Sequence, residues 1–252
     1  MRILVTFAVE AEFAPWRRLR KFDRSTVVRG AFRASFVDGS DAHEVRVLLT
    51  GIGRETCLDT LRSVSKIEAV TPDVLISSGF AGALKDDLVV GSVIAPARIH
   101  TLQDDVDVVA DAALRNEAVR AGALPVGAMI TLNRLAKTAE EKSRLSLYGE
   151  AVDMESALVM AWFKKADAGV VALRVVSDAA AEDLPVDFDR CLTPQGTVKP
   201  MSLVNQIVRR PGNLPNLVRF ARQTYQAGQA LARFLEHFVK ELPKVAGKAM
   251  PV

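Results

Sequence analysis

Four short apolar runs, rich in β-branched residues, constrain this chain more than any other feature, because each stops at a glycine, a serine or an acid. They are "RILVTFA" before "VEAEF", "EVRVLL" before "TGIG", "PDVLISS" before "GFAGAL", and "VVALRVV" before "SDAA". Runs this short and this uniformly apolar fit strands buried on both faces, the condition of a parallel sheet. Between them lie stretches with helical spacing. "RETCLDTLRSVSKI" repeats through Cys57, Leu61 and Val64, residues 111–121 form a second such stretch, and "DMES" opens a third. "GSVIAPARIHT" and "VGAMITLN" read as two further strands. Strands alternating with helices predict an α/β fold, with a mostly parallel mixed central sheet covered on both sides. That is a single-domain three-layer α/β/α sandwich filling residues 1–252, and 252 residues bury a full core without disulfides or metals. Such sheets bind ligands at the carboxyl ends of their strands, where the glycine-rich and acidic stretches fall.

Composition removes several function classes. Net charge is only +3 and the basic residues are spread, so charge implies no nucleic acid partner. No apolar run reaches the roughly 18 residues of a membrane span. The N-terminal run has one arginine, no small-residue cleavage site and acids directly after it, so it reads as a first strand rather than a signal peptide. Cys57 and Cys191 lie far apart with no metal-type spacing. They read as free thiols in a reducing compartment, and the expected location is cytoplasmic.

The last third differs. Two prolines and a glycine in "IVRRPGNLPNLVRF" precede a helix whose one face carries Leu217, Phe220, Ala221, Thr224, Ala227, Leu231, Phe234, Phe238 and Leu242. Residues 203–242 are therefore expected to form a basic amphipathic helical extension, with Arg219, Arg222, Arg233 and Lys240 on its remaining surface. Packing on the domain is the plain reading, and contact with a membrane surface or a partner is the other.

"AVDMESALVM" sets Asp153 and Glu155 at the mouth of an apolar segment, where carboxylates are costly unless paired. A metal is a poor explanation: residues two apart on a helix do not face one another, and none of the three histidines lies nearby. A helix cap explains Asp153 but not Glu155. A carboxylate at a strand-to-helix junction can instead accept hydrogen bonds from vicinal hydroxyls, with Met154 as an apolar surface for a flat base.

"AVDMESA" followed by "VVALRVVSDAA" resembles the signature of the purine nucleoside phosphorylase and methylthioadenosine/adenosylhomocysteine nucleosidase superfamily. "AVEAEF", "TGIG" and "PDVLISSGFAGAL" with "VGSVI" occur in the same order as in the adenosine-type nucleosidases, and the resemblance covers most of residues 1–190. "DMES" and the tail "IVRRPGNLPNLVRFAR" are similar to the hopanoid-associated phosphorylase branch, whose members act on an adenosylated lipid.

The resemblance implies cleavage of the N-glycosidic bond of a purine nucleoside, with adenine as the base and a bulky or lipid 5′-substituent as one option. Asp178 is then the general acid at N7 of the departing base, help commonly worth about 10²–10⁴-fold. Burial at a strand end among Val175, Val176 and alanines is expected to keep it protonated. Ser177 orients it, although an N-cap before "AAAEDL" is the plain reading of Asp178. Glu155 grips the ribose hydroxyls and Met154 floors the sugar. Glu12 activates water. Gly79, Phe80 and Leu135 complete the expected substrate-binding set. Leu135 falls where a purine-stacking phenylalanine is usual, and Ser77 and Phe80 stand where phosphorolytic relatives carry an arginine and a serine. "AVEAEF" holds Glu10 and Glu12 and no arginine before Arg17, which favours water over phosphate.

The resemblance further implies a homo-oligomer and no metal or organic cofactor, with phosphate as a co-substrate at most. The segment between His100 and Gly127 is shorter than in such nucleosidases, which predicts an open 5′ side. A nucleotide-binding regulator is the alternative from another class, but "TGIGRE" and "SSGFAGAL" are incomplete as G-x-G-x-x-G fingerprints. A non-catalytic binding module on the same fold is a third reading.

Overall fold

The computed structural model describes residues 1–28, 30–38, 41–67, 71–188, 193 and 211–249. In chain order β1 (Arg2–Phe7) leads into α1 (Glu10–Leu19), then β2 (Asp23–Arg24), β3 (Ala31–Asp38), β4 (Asp41–Leu49) and α2 (Arg54–Ile67). There follow β5 (Val74–Ala83), β6 (Val93–Thr101), β7 (Asp107–Val109), α3 (Ala112–Arg120), β8 (Leu124–Thr131) and α4 (Ala139–Leu145). Last come β9 (Ala151–Asp153), α5 (Ser156–Lys164), β10 (Gly169–Asp178) and α6 (Leu214–Ala249).

The apolar runs become the centre of one ten-stranded sheet, since only there are both faces of a strand covered. β1 pairs in parallel with β4 on one side and β5 on the other, and β10 pairs in parallel with β5. β10 also pairs with β6, β6 with β8, β8 with β9, and β9 with β5, so five strands close on themselves. That closure brings the ends of β5, β8, β9 and β10 together.

Alternation along the strands sorts side chains to two cores. Ile3, Val5 and Phe7 of β1 join Phe13 and Trp16 of α1 and Leu231, Leu235 and Phe238 of α6 on one face. Cys57, Leu61, Val159 and Met160 from α2 and α5 cover the other. An aromatic cluster anchors the first core, with Phe13 5.0 Å from both Phe22 and Phe32. Such pairs contribute about 0.5–1.5 kcal/mol each beyond the area they bury. Glu236 of α6 accepts from Trp16 Nε1 at 2.9 Å and pairs with Arg20 at 2.7 Å, which pins α6 to α1. α6 buries Ala227, Leu231 and Leu242, whereas Leu214, Val218 and Tyr225 in its first turns are exposed. Among the described residues no helix is long and apolar enough to cross a membrane.

The structure departs from the sequence reading in several places, the short strands β2 and β7 among them. "AFRASFVD" is a strand, β3, with Phe32, Ala34 and Phe36 buried in alternation. "GFAGA" is no turn but the second half of β5, paired with β10 and β9. Asp153 ends a short strand, β9, and does not begin a helix. Residues 139–145 form α4, an element the sequence reading lacked. The helical extension begins at Leu214; residues 203–210 and Cys191 lie outside the described residues.

Candidate active site

Glu12 sits in the first turn of α1 and turns its carboxylate back over the helix start. Oε2 accepts from the backbone N–H groups of Ala8 (2.8 Å) and Val9 (3.2 Å), and Oε1 from that of Phe80 (2.8 Å). The first two bonds cap α1, as an acid at this position often does; the third ties α1 to β5. Burial pushes the Glu12 carboxyl above its usual range, against the pull of Arg174 and the three backbone donors.

Arg174, midway along β10, is the hub. It is 2% exposed. Its Nη2 lies 2.9 Å from Asp153 Oδ2 and donates to Ser77 Oγ at 3.1 Å, while Nε donates to Ser156 Oγ at 3.0 Å. A guanidinium is suited to such a place because its planar fork serves several acceptors at once. Gly79, with φ +139°, makes room for it: a Cβ there would overlap Arg174 Nη1 and stand 2.5 Å from Glu12 Oε1.

Asp153 shapes the start of α5, as its position implied. Oδ2 accepts from Ser156 N at 3.0 Å and Oδ1 from Thr131 Oγ1 at 2.6 Å, and Thr131 Oγ1 in turn accepts from Ala157 N. Glu155 precedes α5 and is buried, and its Oε1 accepts from Gly53 N at 2.9 Å. The "TGIG" loop thus holds this carboxylate in place. Burial pushes its carboxyl up to about 8, the negative charge of Asp153 adding to the shift and the positive charge of Arg174 opposing it. Met154 is half-buried between the two acids.

Asp178 ends β10, and a register shift between Val176 and Asp178 leaves Ser177 as an extra residue. Such a bulge re-aims the next side chain. Asp178 thereby comes opposite Gly82, where a Cβ would stand 3.0 Å from its Oδ2 and 3.4 Å from Val152 Cγ1. The acid is buried beside β9, not turned outward. Ser177 Oγ donates to Oδ1 at 2.6 Å, the orienting contact expected of it. The apolar surroundings expected of Asp178 are not what the structure gives: Lys142 Nζ of α4, fully buried, lies 2.6 Å from Oδ2.

The remaining predicted residues are less central. Phe80 meets Glu12 through its N–H, while its ring tip packs near Gly228 of α6. Leu135 is half-buried between β8 and α4, and neighbouring Leu132 and Ala136 pack with Val152. Arg54, at the start of α2, pairs with Asp104 of the loop after β6, and Gln103 of that loop accepts from Asn133. A groove of about 1090 Å³ runs from Ala8, Val9, Thr50 and Gly51 to Glu55, Asp59 and Ser63 of α2, and its lining holds none of the predicted site residues. A cavity of about 460 Å³ lies at the amino ends of the strands, between Arg2, Ile3 and Trp162, and holds none of the site residues.

Sequence reasoning missed Arg174, Lys142, Thr131 and Ser156. For Arg174 a signal existed, a single cation inside "VVALRVVSD", where burial demands a partner. Among the described residues no group of three or more His, Cys, Asp or Glu is placed to hold a metal.

Residues 2–209 match the model of the phosphorylase superfamily. The chain belongs to that superfamily. Curated relatives of this phosphorylase-superfamily chain include the 5′-methylthioadenosine/S-adenosylhomocysteine nucleosidases of Shewanella pealeana and Bacillus licheniformis. The first is 29% identical over 224 residues, covering 78% of this chain and 94% of the relative. The second is 26% identical over 239 residues, covering 83% and 99%. Two Helicobacter pylori structures share the fold of this superfamily member. The 5′-methylthioadenosine/S-adenosylhomocysteine nucleosidase with butyl-thio-DADMe-Immucillin-A gives a TM-score of 0.70 at 20% identity, over 96% of this chain and 98% of its own. A futalosine hydrolase mutant gives 0.69 at 19%, over 96% and 99%.

Proposed function

We propose that the chain hydrolyses the N-glycosidic bond of an adenine nucleoside. The observation that carries this is the pair of glycines three residues apart on β5: Gly79 lies against Glu12 and Arg174, and Gly82 against Asp178. Three residues of strand span about 10 Å. A nucleoside laid along that stretch meets a carboxyl at the base end and another at the water end, with the Glu155 carboxylate, held by Gly53, available to the sugar hydroxyls.

Each group then has a role. Asp178 passes a proton to N7, so that adenine leaves neutral as the C1′–N9 pair moves into the ring. Water bonded to C1′ gives its proton to Glu12. Glu155 holds the 2′- and 3′-hydroxyls against Met154. A carboxylate at the water position repels phosphate, and the nearby cations are already engaged, Arg17 with Glu10 and Arg174 with Asp153. The nucleosidase names of the curated relatives point the same way.

The test is adenine release from adenosine and 5′-methylthioadenosine, with and without phosphate. Equal release in both buffers, lost in Asp178→Asn while nucleoside binding persists, supports hydrolysis with Asp178 as the acid. Unchanged turnover in Asp178→Asn rejects that role, and release only with phosphate rejects water as the acceptor.

A bulky 5′-group and contact with a membrane surface are favoured by one further observation. The first turns of α6 expose Leu214, Val218 and Tyr225 beside Arg219 and Arg222, an apolar stripe flanked by cations. Sedimentation with anionic vesicles tests this, and a protein that stays in the supernatant at low salt counts against it. We place the protein in the cytoplasm as a homo-oligomer; the buried free thiol of Cys57 suits a reducing compartment. Light scattering that finds a monomer would reject the oligomer.

A further inference from the structure

We infer that Lys142 is a positioning residue for base departure, supplying the countercharge that the Asp178 carboxylate meets once its proton has gone to the base. The inference rests on the role given to Asp178 above, and it concerns a residue outside every motif of the sequence.

Burying an ammonium is costly unless each of its donors is used. Lys142 is 0% exposed and uses three: Asp178 Oδ2 at 2.6 Å, Ala179 O at 2.8 Å and Glu182 O at 2.8 Å. Two carbonyls are enough to fasten the turn after β10 to α4. That turn is also fastened without Lys142, by Leu184 N to Lys137 O at 2.8 Å and Ala139 N to Asp183 Oδ1 at 2.7 Å. The third donor is therefore spent on the carboxyl itself.

The geometry fixes that carboxyl on both sides. Ser177 Oγ donates to Oδ1 and Lys142 to Oδ2, so the plane of the group is set before any ligand arrives. Glu182 faces the same turn, but its charge is engaged by Ala179 N at 3.3 Å, Gln223 at 3.4 Å and Arg219 at 3.5 Å. From β5 the facing residue is Gly82, which carries no charge. Lys142 is thus the cation in contact with Asp178 among the described residues.

In the proton transfer the Oδ–H bond of Asp178 breaks and the N7–H bond forms, with the C1′–N9 electron pair entering the purine. A carboxylate remains, and the ammonium at 2.6 Å stabilises it at that moment. Lys142 gives up no proton of its own. The same contact restrains the proton from returning.

The experiment compares wild type with Lys142→Gln and Lys142→Met, using 5′-methylthioadenosine and reading kcat and KM from pH 5 to 10. In either neutral variant kcat is expected to fall at least about tenfold with little change in KM. The kcat profile is expected to change its shape with pH as well as its height. A loss equal at every pH, with a lowered Tm, is what a purely structural lysine would give, and it overturns the inference; so does an unchanged profile.

Nuclear magnetic resonance of the wild type, read from the Lys142 ¹⁵Nζ and Asp178 carboxyl ¹³C signals, needs no variant to fold. A change at either signal on nucleoside binding is expected to appear at the other, and signals that respond separately overturn the inference. If the wild type releases no adenine at all, the functional reading fails, and this measurement still decides whether Lys142 and Asp178 act as a charge pair.

Discussion

Arg174 and Asp153 form an ion pair of 2.9 Å with side chains at most 2% exposed, and this pair ties β10 to the junction of β9 and α5. Removing one partner of a buried pair leaves an uncompensated charge and commonly costs about 3–5 kcal/mol. Arg174→Met is expected to lose stability of that order in urea denaturation. Arg174→Lys should lose less, because an ammonium can still meet Asp153 but cannot also serve Ser156 and Ser77. The double variant Arg174→Met/Asp153→Asn should be more stable than the sum of its single changes implies, since neutralising Asp153 relieves the charge that Arg174→Met strands.

Glu155 makes the free protein sensitive to alkali. Its carboxyl titrates near 8 when folded, against an ordinary 4.5. Between those values the folded state holds a proton that the unfolded chain has lost, so the contribution to stability is complete below about 4.5 and falls as pH rises through about 8. Glu12, also displaced upward, acts in the same direction. Glu155→Gln is expected to flatten this slope in denaturation midpoints taken from pH 5 to 9. A nucleoside whose hydroxyls bind the ionised form should lose close to tenfold in affinity per unit below about pH 8, a dependence that calorimetric titration would detect and that Glu155→Gln should abolish.

What could be read beforehand follows from how local each signal is. The buried parallel strands were legible because a run covered on both faces is apolar at nearly every position, as in "VVALRVV", where Arg174 alone interrupts it. β3 was equally local, since Phe32, Ala34 and Phe36 alternate with polar residues, but Ala and Ser dilute its pattern. β9 spans three residues and gains its identity only from β5 and β8. The bulge at Ser177 exists only in the pairing of β10 with β5, so no inspection of "VVSDAA" alone could show that Asp178 turns toward Gly82. Lys142 lies in "AEEKSR", where every neighbouring charge suggests a solvated helix face. Its burial is decided by the segment 179–184, about 40 residues away in sequence.

Glu12 invites the usual isosteric test, and here that test does two things at once. Both carboxylate oxygens accept from backbone N–H groups, so Glu12→Gln must turn an amide N–H₂ toward another donor at one end. A buried donor left without its acceptor costs about 1–3 kcal/mol. Glu12→Gln is therefore expected to lower stability by that amount and turnover by at least about a hundredfold. Glu12→Asp, which keeps the charge but is one methylene short, should recover little turnover because it cannot cap α1 and reach Phe80 N together. Thermal melts and adenine release on the same preparations would separate the two losses.

Gly79 offers the sharpest test of whether the water end of the site is built as described. Its φ of +139° lies where side-chain-bearing residues are strained, and a Cβ would enter the space between Arg174 Nη1 and Glu12 Oε1. Neither neighbour can yield freely: Arg174 is held by Asp153, Ser77 and Ser156, and Glu12 by three backbone donors. Gly79→Ala is expected to cost about 1–3 kcal/mol from overpacking alone, with turnover falling more steeply than stability because it displaces Glu12, the group proposed to take the proton of water. Gly82→Ala provides the contrast. There the nearest atom is Asp178 Oδ2 at 3.0 Å, at the base end, so the loss should appear in recognition of adenine, read as a change in KM between adenine and hypoxanthine nucleosides. If Gly79→Ala retains wild-type turnover, Glu12 does not take the proton of the reacting water.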